Sequence, residues 1–586
     1  MRRFFLLLFI PIWGQAQSLE HPVPLLNGEP LLLFKYSGSA SAAGAEIVPV
    51  DGPGFQSALR LTTRALPANP WDNRIRVLGG APVRKNDVIV ASFNIRCIAP
   101  EDTGCVTRLN VERRDSPYTK SANTTLLSGT TWKQFNLIFP MAEDYAAGGY
   151  SLDFWMGEQL QVADLAGISF LNYGPGITAA DLGIDTAYDG SAPDAAWRSA
   201  ALQRIDEIRK GNLAVLVLDA GGNPVPGASV HVRMRKHAFG FGSAVAADLL
   251  LGTSLDSEKY RQFILDNFNL VVFENDLKWQ GWESNRQRAL NGIRWMQDHG
   301  ISKIRGHNLV WPGWQYLPAS VKALESDPEA LRRRILDHIQ DEVSATSGTL
   351  IDWDVINEAY TNTDLQKILG DAEMAAWFRQ ARLFDPTVNL FINDYSILSS
   401  NGVDFAHQNG FARIIENLDA LDAGVQGIGM QGHFSTPTPP ETMLRILDRF
   451  ARYGKQIEIT EFDFNTTDEA LQAQFTRDLL ITAFSHPAVT NLLMWGFWEG
   501  RHWLPVGAMI RRDWTTKPNF DVWRQLVYGA WWTDETNPTG PEGAMGLRGF
   551  LGDYEVEVTA GTQSKVVSFT LAAGDNLVTV QLEPAP

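Results

Sequence analysis

WDVINEAY, residues 353–360, is the stretch on which the reading of the chain turns. Trp353, Val355 and Ile356 are apolar and strand-forming, so they describe a buried strand, and Asn357 and Glu358 follow as polar residues at its carboxyl end. A carboxylate at the rim of a sheet serves as a helix cap, a surface charge or a catalyst. Its neighbours in space decide which.

Outward from it, residues 238–530 repeat one pattern of strand, loop and helix. The strands expected are AFGFGSAV, LVVFEND, KIRGHNLVW, DWDVINEA, LFINDY, GIGMQGHF, QIEITEFD and LLMWGFWE, and helical periods such as EALRRRILDHIQDEVS and ETMLRILDRFARYG separate several of them. Eight apolar strands alternating with helices predict a (β/α)8 barrel, a TIM barrel, whose active face lies at the carboxyl ends of the strands. Those ends carry Glu274 and Asn275, His307 and Trp311, Asn357 and Glu358, Asn393 and Asp394, Gln431 and His433, Glu461 and Asp463, and Trp495 and Trp498. Singly, each has a bland reading as a cap or a satisfied core group; together they describe one pocket.

Glu358 and Glu461 fall on the fourth and seventh strands, opposite one another across the expected mouth. Two carboxyls facing a cleft lined by Trp are the minimum for cutting a glycosidic bond, one protonating the leaving oxygen and the other attacking or stabilising the anomeric carbon. A calcium site or a coincidence of helix caps is the alternative.

WDVINEA, ITEFD, ENDLKW, RGHNLVW, INDY, GIGMQGH and WGFWEGRHW resemble, in order and spacing, glycoside hydrolase family 10, the retaining endo-β-1,4-xylanases. That resemblance implies that Glu358 is the general acid/base and Glu461 the nucleophile, with His433 bonded to Glu461, Asp463 orienting His433, and Asn357 holding a sugar 2-hydroxyl. It assigns Glu274, Asn275, Lys278, His307 and Gln431 to substrate binding, with Trp311, Trp495 and Trp503 as walls around the sugar. It implies no cofactor and no metal, and the scattered His residues have no close ligand spacing. Two features depart from the commoner family pattern: Pro312 and Trp314 stand where His and Gln are usual, and Trp498 and Glu499 replace a polar pair. Arg501 and His502 could reach an acidic decoration, or belong to a solvated loop.

Residues 18–175 alternate apolar and polar residues in short runs from LLLFKYS to YSLDFWMG, separated by Gly, Pro, Asn and Asp, which predicts a β-sandwich. TWKQFNLIF and FWMGEQLQVADLAGISFLNYG resemble the closing strands of carbohydrate-binding modules found beside xylan-degrading enzymes, with Trp71, Tyr118, Trp132 and Trp155 as candidate rings. A connector with a helical second half spans 176–211, strands around a Gly-Asn-Pro turn fill 212–237, and 531–586 reads as a small β appendage that would pack on them.

The formal charge of −17 and the lack of a basic patch argue against nucleic acid or an anionic membrane surface as partner. At the start, MRRFFLLLFIPIWGQAQ, residues 1–17, has two Arg, an apolar run too short to span a bilayer and small residues near a cleavage point, the layout of a secretory signal peptide. The two cysteines, Cys97 and Cys105, would close one loop in an oxidising compartment or stay as separate buried thiols. The expectation is a secreted, monomeric endo-1,4-β-xylanase acting on xylan or decorated xylan, placed outside the cell, in a periplasm or on the cell surface. A hydrolase of another β-1,4-glucan and a barrel that binds polysaccharide without cutting it are the competing readings.

Overall fold

The computed structural model describes residues 21–101, 103–184 and 187–583, so the expected signal peptide lies outside the described residues. The chain divides into two compact units, Met1–Ala187 and Tyr188–Pro586.

In the first unit, strict alternation builds two antiparallel sheets. One orders the strands Ala43–Gly52, Phe55–Thr63, Gln161–Pro175, Asp87–Ala99 and Lys133–Pro140; the other orders Lys35–Ser37, Arg74–Leu78, Tyr150–Trp155, Cys105–Arg113 and Lys120–Ser128. Tyr150, Leu152 and Phe154 point to a core with Phe93 and Phe170, while Ser151, Asp153 and Trp155 alternate with them on the opposite face, which is covered as well. Cys97 and Cys105 are joined as a disulfide that links a strand of one sheet to a strand of the other. The run LLLFKYS is not all strand: Pro30–Leu33 is a helical turn. Pro30 at the first helical position presets the backbone for that turn, and Leu32 is left exposed.

The second unit contains a closed ring of eight parallel strands, numbered here in chain order: β1 Gly240–Val245, β2 Leu270–Phe273, β3 Lys303–Val310, β4 Asp352–Asn357, β5 Asn389–Asp394, β6 Gly427–Met430, β7 Gln456–Phe464 and β8 Val489–Met494. Pairing of β1 with β8 closes the barrel. A helix follows each strand, the longest being Trp279–Asp298 and Pro328–Thr346, and Ser254, Asp327, Asp404 and Asp468 cap four of these helices by accepting a backbone N–H of the first turn. Fully buried strands need no alternation, which is why these segments read as continuous apolar runs.

Strands Lys210–Leu218 and Ser229–His237 do not pair as a hairpin around the Gly-Asn-Pro turn. The first lies between Ala544–Phe550 and Asp575–Gln581, the second between Asp534–Pro538 and Gly552–Ala560. The connection 219–228 is long enough to pass from one sheet to the other, and each strand finds better apolar partners in the C-terminal segment. Helix Ala196–Ile208 is fastened to the barrel by buried Asp478, which accepts from Tyr188 Oη at 2.7 Å and Arg198 Nη2 at 3.0 Å. Among the described residues no helix is long and apolar enough to cross a membrane.

Arg209 ends that helix with its guanidinium buried between the rings of Phe239 and Phe484, donating to the carbonyls of Phe484, His486 and Val489 at 2.8, 2.8 and 2.7 Å. Burial pulls its pKa down to about 10. Arg209→Ala leaves three carbonyls without these donors and opens a hole at the foot of β8, so a loss of about 2–4 kcal/mol is expected, read as a lower urea midpoint.

Candidate active site

The carboxyl ends of the barrel strands open on a cleft of about 660 Å³. Glu274, Lys278, His307, Trp311, Asn357, Glu358, Gln431, His433, Glu461, Trp495 and Trp503, drawn from the ends of six of the eight strands and the loops that follow them, all line it. Two expected residues do not. Asn275 is exposed on the rim, where its Oδ1 accepts from Lys278 Nζ at 3.1 Å and its side chain also bonds Glu274, so it supports two cleft residues without lining the cleft. Asp463 is fully buried behind His433.

Glu461 stands in β7, where its carboxylate is held from several directions. Asn393 Nδ2 donates to Oε1 at 2.8 Å and His433 Nε2 to Oε2 at 3.1 Å, while His307 Nδ1 lies 3.9 Å from Oε1. Burial alone would raise the pKa of Glu461, but His307, His433 and Lys278 outweigh it and hold the carboxyl below its ordinary value. His433 is brought to the same level by a short parallel pairing of His433 with Asp463. Its Nδ1 lies 3.1 Å from Asp463 Oδ1, and although burial opposes the charge, Asp463 and Glu461 together push the imidazole pKa up to about 10. At neutral pH this ring is a cation between two anions.

Glu358 follows β4 with φ +57°, a left-handed conformation that costs a non-glycine residue about 1–3 kcal/mol. Its backbone is pinned there: Glu358 N–H donates to Asn393 O at 2.8 Å and Glu358 O accepts from Asn362 N–H at 3.1 Å. The kink turns the side chain into the cleft, where Oε1 accepts from Gln431 at 2.9 Å and Oε2 from Trp311 Nε1 and Asn362 Nδ2, both at 3.1 Å. Burial raises its pKa to about 7, with nearby Glu461 and Asp394 acting in the same direction against the hydrogen bonds of Gln431 and Trp311. One carboxyl of the pair therefore carries its proton at mildly acidic to neutral pH while the other is ionised, the division of labour that acid-assisted displacement requires.

The aromatic walls are part of the same network. Trp503 is half exposed and donates Nε1–H to Asp463 Oδ2 at 2.7 Å, Trp495 sits edge-on to His307 at 5.0 Å, and Lys278 Nζ lies 5.4 Å from the Trp311 ring and 5.8 Å from that of Trp495. The departures at the far side are structural in part: Trp498 is buried and stacks on Trp514 at 4.6 Å. Arg501 pairs with Asp248 at 3.2 Å and His502 is buried, its pKa lowered to about 4 by burial, so His502 is no partner for an acidic decoration.

Tyr316, Thr361, Asn362, Tyr395 and Ser396 also line the cleft and were not singled out in the sequence. Tyr395 belongs to the INDY motif and was within reach of motif reading; Asn362, four residues past Glu358 in a polar loop, gave no signal of its own. Asn393, seen as a polar strand end, proves to bond both Asn357 Oδ1 and Glu461. Among the described residues no group of three or more His, Cys, Asp or Glu side chains is arranged to hold a metal ion.

In the sandwich unit, Trp155 is buried and Trp132 packs edge-on against Phe55 beneath Arg96, whereas Trp71 is 44% and Tyr118 53% exposed.

Residues 231–522 match the sequence profile of glycosyl hydrolase family 10. Among curated proteins, the chain is 32% identical over 375 residues to "Anti-sigma-I factor RsgI6" of Acetivibrio thermocellus, covering 63% of this chain and 47% of that protein. It is 27% identical over 410 residues to "Endo-1,4-beta-xylanase 1" of Arabidopsis thaliana, covering 65% of this chain and 40% of that one. The chain thus spans about half or less of the length of these relatives. Among solved structures, native xylanase 10B from Thermotoga maritima aligns at 27% identity over 50% of this chain and 96% of its own, with a TM-score of 0.46.

Replacing His433 by Ala removes the cation beside Glu461 while the surrounding barrel still keeps the carboxyl from water. The titration midpoint of the Glu461 carboxyl, followed by ¹³C NMR, is expected to move upward in His433→Ala.

Proposed function

Residues 231–522 make this chain a member of glycosyl hydrolase family 10, and from that premise we propose that it is an endo-1,4-β-xylanase that cuts internal β-1,4-xylosidic bonds with retention of anomeric configuration. The observation that carries the reading is the opposed protonation of two carboxyls in one Trp-lined cleft: Glu358 raised to about 7, Glu461 held ionised.

In the first step, a Glu461 oxygen attacks the anomeric carbon, the bond to the leaving oxygen breaks, and Glu358 gives its proton to that oxygen. The product is a glycosyl ester on Glu461 and a carboxylate on Glu358. With the charge of Glu461 consumed in the ester, the repulsion that helped to keep Glu358 protonated is gone, so Glu358 is ready to accept a proton. In the second step it takes that proton from a water that attacks the same carbon, and Glu461 leaves as a carboxylate. Asn357, anchored by Asn393, is placed for a sugar 2-hydroxyl, and the indole faces of Trp311, Trp495 and Trp503 suit the flat faces of pyranose rings.

Export belongs to the same reading. It is supported by the charge and hydropathy pattern of residues 1–17 and by the Cys97–Cys105 bond, which persists in oxidising compartments. The sandwich is assigned to polysaccharide binding through Trp71. Its ring is exposed, lies 5.6 Å from that of Trp155, and borders a sheet face whose charges are paired internally, Arg76 with Asp153 and Glu112, and Lys120 with Glu112. Such a face suits a neutral, hydroxyl-rich chain.

Three outcomes test this. Wild type should release reducing ends from linear xylan and not from carboxymethyl-cellulose, and Glu461→Ala should lose roughly 10⁴- to 10⁶-fold in kcat with folding intact; release from cellulose alone, or from neither polymer, would sink the reading. The pH profile of kcat/KM should fall on the alkaline side near pH 7, where Glu358 loses its proton, and hold on the acid side to below the ordinary range of a glutamate, where Glu461 gains one. Trp71→Ala should weaken retention on insoluble xylan about tenfold while hydrolysis of a soluble xylo-oligosaccharide is unchanged.

A further inference from the structure

The segment WPGWQY, 311–316, is bonded to the proton donor and to the loop that follows it at several points. Its backbone is strapped to the loop after Glu358: Pro312 O accepts from Asp364 N–H and Leu365 N–H at 3.1 and 3.2 Å, and Trp314 N–H donates to Asp364 Oδ2 at 3.1 Å. The strap brings Gln315 Nε2 to 2.9 Å from Asn362 Oδ1. Gly313 makes this approach possible, since a Cβ there would stand 2.6 Å from Asn362 Oδ1 and 2.9 Å from Gln315 Nε2.

A primary amide is planar and its two ends differ: once Oδ1 of Asn362 faces a donor, Nδ2 must face the other way. It faces Glu358 Oε2, at 3.1 Å. The other donor to that oxygen, Trp311 Nε1, comes from the same segment, its ring stacked at 3.4 Å on Tyr316. Both hydrogen bonds to Oε2 are therefore supplied by, or oriented through, residues 311–316.

We propose that Gln315 and Asn362 form a two-amide relay that positions the proton-donor carboxyl of Glu358, Asn362 by direct contact and Gln315 solely by fixing which end of the Asn362 amide faces it. The inference rests on the proton-donor role given to Glu358 above. The relay acts in the first step, when the proton passes from Glu358 to the leaving oxygen as the anomeric C–O bond breaks and the bond to Glu461 forms. An N–H directed at Oε2 stabilises the carboxylate that remains and so makes the carboxyl a stronger acid, against the opposing fields of Glu461 and Asp394; Lys278 and Tyr395 are the other titratable groups that face it.

Gln315 is exposed, is not itself part of the cleft lining and does not touch Glu358; it reaches the lining through its bond to Asn362. Gln315→Glu offers Asn362 an acceptor instead of a donor. The expected response is a turn of the amide against its longer bonds to Glu358 O and Thr361 Oγ1, both 3.3 Å, which presents Oδ1 to Glu358, where it can only accept from the protonated carboxyl. The experiment compares Gln315→Ala, Gln315→Glu, Asn362→Ala and the double variant Asn362→Ala with Gln315→Glu. Two quantities are read: kcat/KM against pH on aryl β-xylobiosides, and the ¹³C titration midpoint of the Glu358 carboxyl, assigned with Glu358→Gln.

Expected results are an upward move of the midpoint and of the alkaline limb in Gln315→Glu, larger than in Gln315→Ala, and disappearance of that difference when Asn362 is Ala. Asn362→Ala should lower kcat/KM about tenfold with a poor phenol leaving group, which needs the proton, and less than about twofold with a dinitrophenol, which does not. An equal midpoint move in the single and double variants would mean that the new charge acts through space, and equal losses with both leaving groups would mean a structural role; either overturns the relay. If wild type cuts no aryl xylobioside, the xylanase reading fails, and the NMR midpoints still decide the relay.

Discussion

The barrel interior has to hold charge, and a buried charge without a partner is among the most expensive features a fold can contain. Arg305 is where that problem is met. Its guanidinium is fully buried, 2.8 Å from Asp352, 2.6 Å from Glu458 and 2.8 Å from Asp354, so one cation faces three carboxyls. Burial pushes Asp352 and Glu458 upward toward their neutral forms, whereas Asp354, held by Arg305 and His307 against the same burial, stays below its ordinary value. Of the three carboxyls Asp354 is the one whose charged form is favoured, and its second oxygen is 2.8 Å from His307 Nδ1. His307 in turn lies 3.9 Å from Glu461. Above it a column of contacts runs on through Glu461, His433 and Asp463 to the indole N–H of Trp503.

That column explains why Glu461 and Glu358 differ although both are buried glutamates. Glu461 is a link in that column, bonded by the Asn393 amide on one oxygen and by the charged His433 ring on the other. Glu358 stands outside it, its Oε1 and Oε2 met by the neutral donors Gln431, Trp311 and Asn362, and it faces Glu461 as a like charge. Neutral donors recover part of the desolvation cost of a carboxylate but not all of it. The left-handed backbone of Glu358 fits the same logic, because a strand residue in ordinary geometry would continue the barrel wall. The strain is carried by two backbone hydrogen bonds to neighbours that the barrel already fixes.

The barrel was legible because parallel strands buried on both faces leave long apolar runs with polar ends, a pattern that depends on few tertiary details. The sandwich strands were legible from alternation, yet the turn at Pro30–Leu33 was not, since three leucines fit a strand as well as a helix until proline geometry is weighed. That 531–586 packs on 212–237 followed from the strand character of both, but the strand order, with Lys210–Leu218 paired to a strand more than 300 residues away, has no local trace. Site residues carried by motifs could be named from their strand ends. Asn362 and Gln315 could not: they belong to polar loops, and their significance lies in the direction of an amide dipole that only three-dimensional contacts define. Asn275 shows the converse, a motif residue that supports Lys278 from outside instead of lining the cleft.

Trp503 joins the two levels of the site. Its ring forms part of the cleft wall, half exposed, while its Nε1–H is bonded to Asp463, the carboxylate that keeps His433 charged. The same Asp463 oxygens cannot serve the indole and the imidazole independently: a stronger bond to Trp503 draws electron density from the carboxylate and weakens its hold on the His433 proton. Ring position in the wall and the field on the Glu461 carboxylate are therefore set by one shared group, so the shape of the cleft wall and the charge at its floor are consequences of the same buried aspartate.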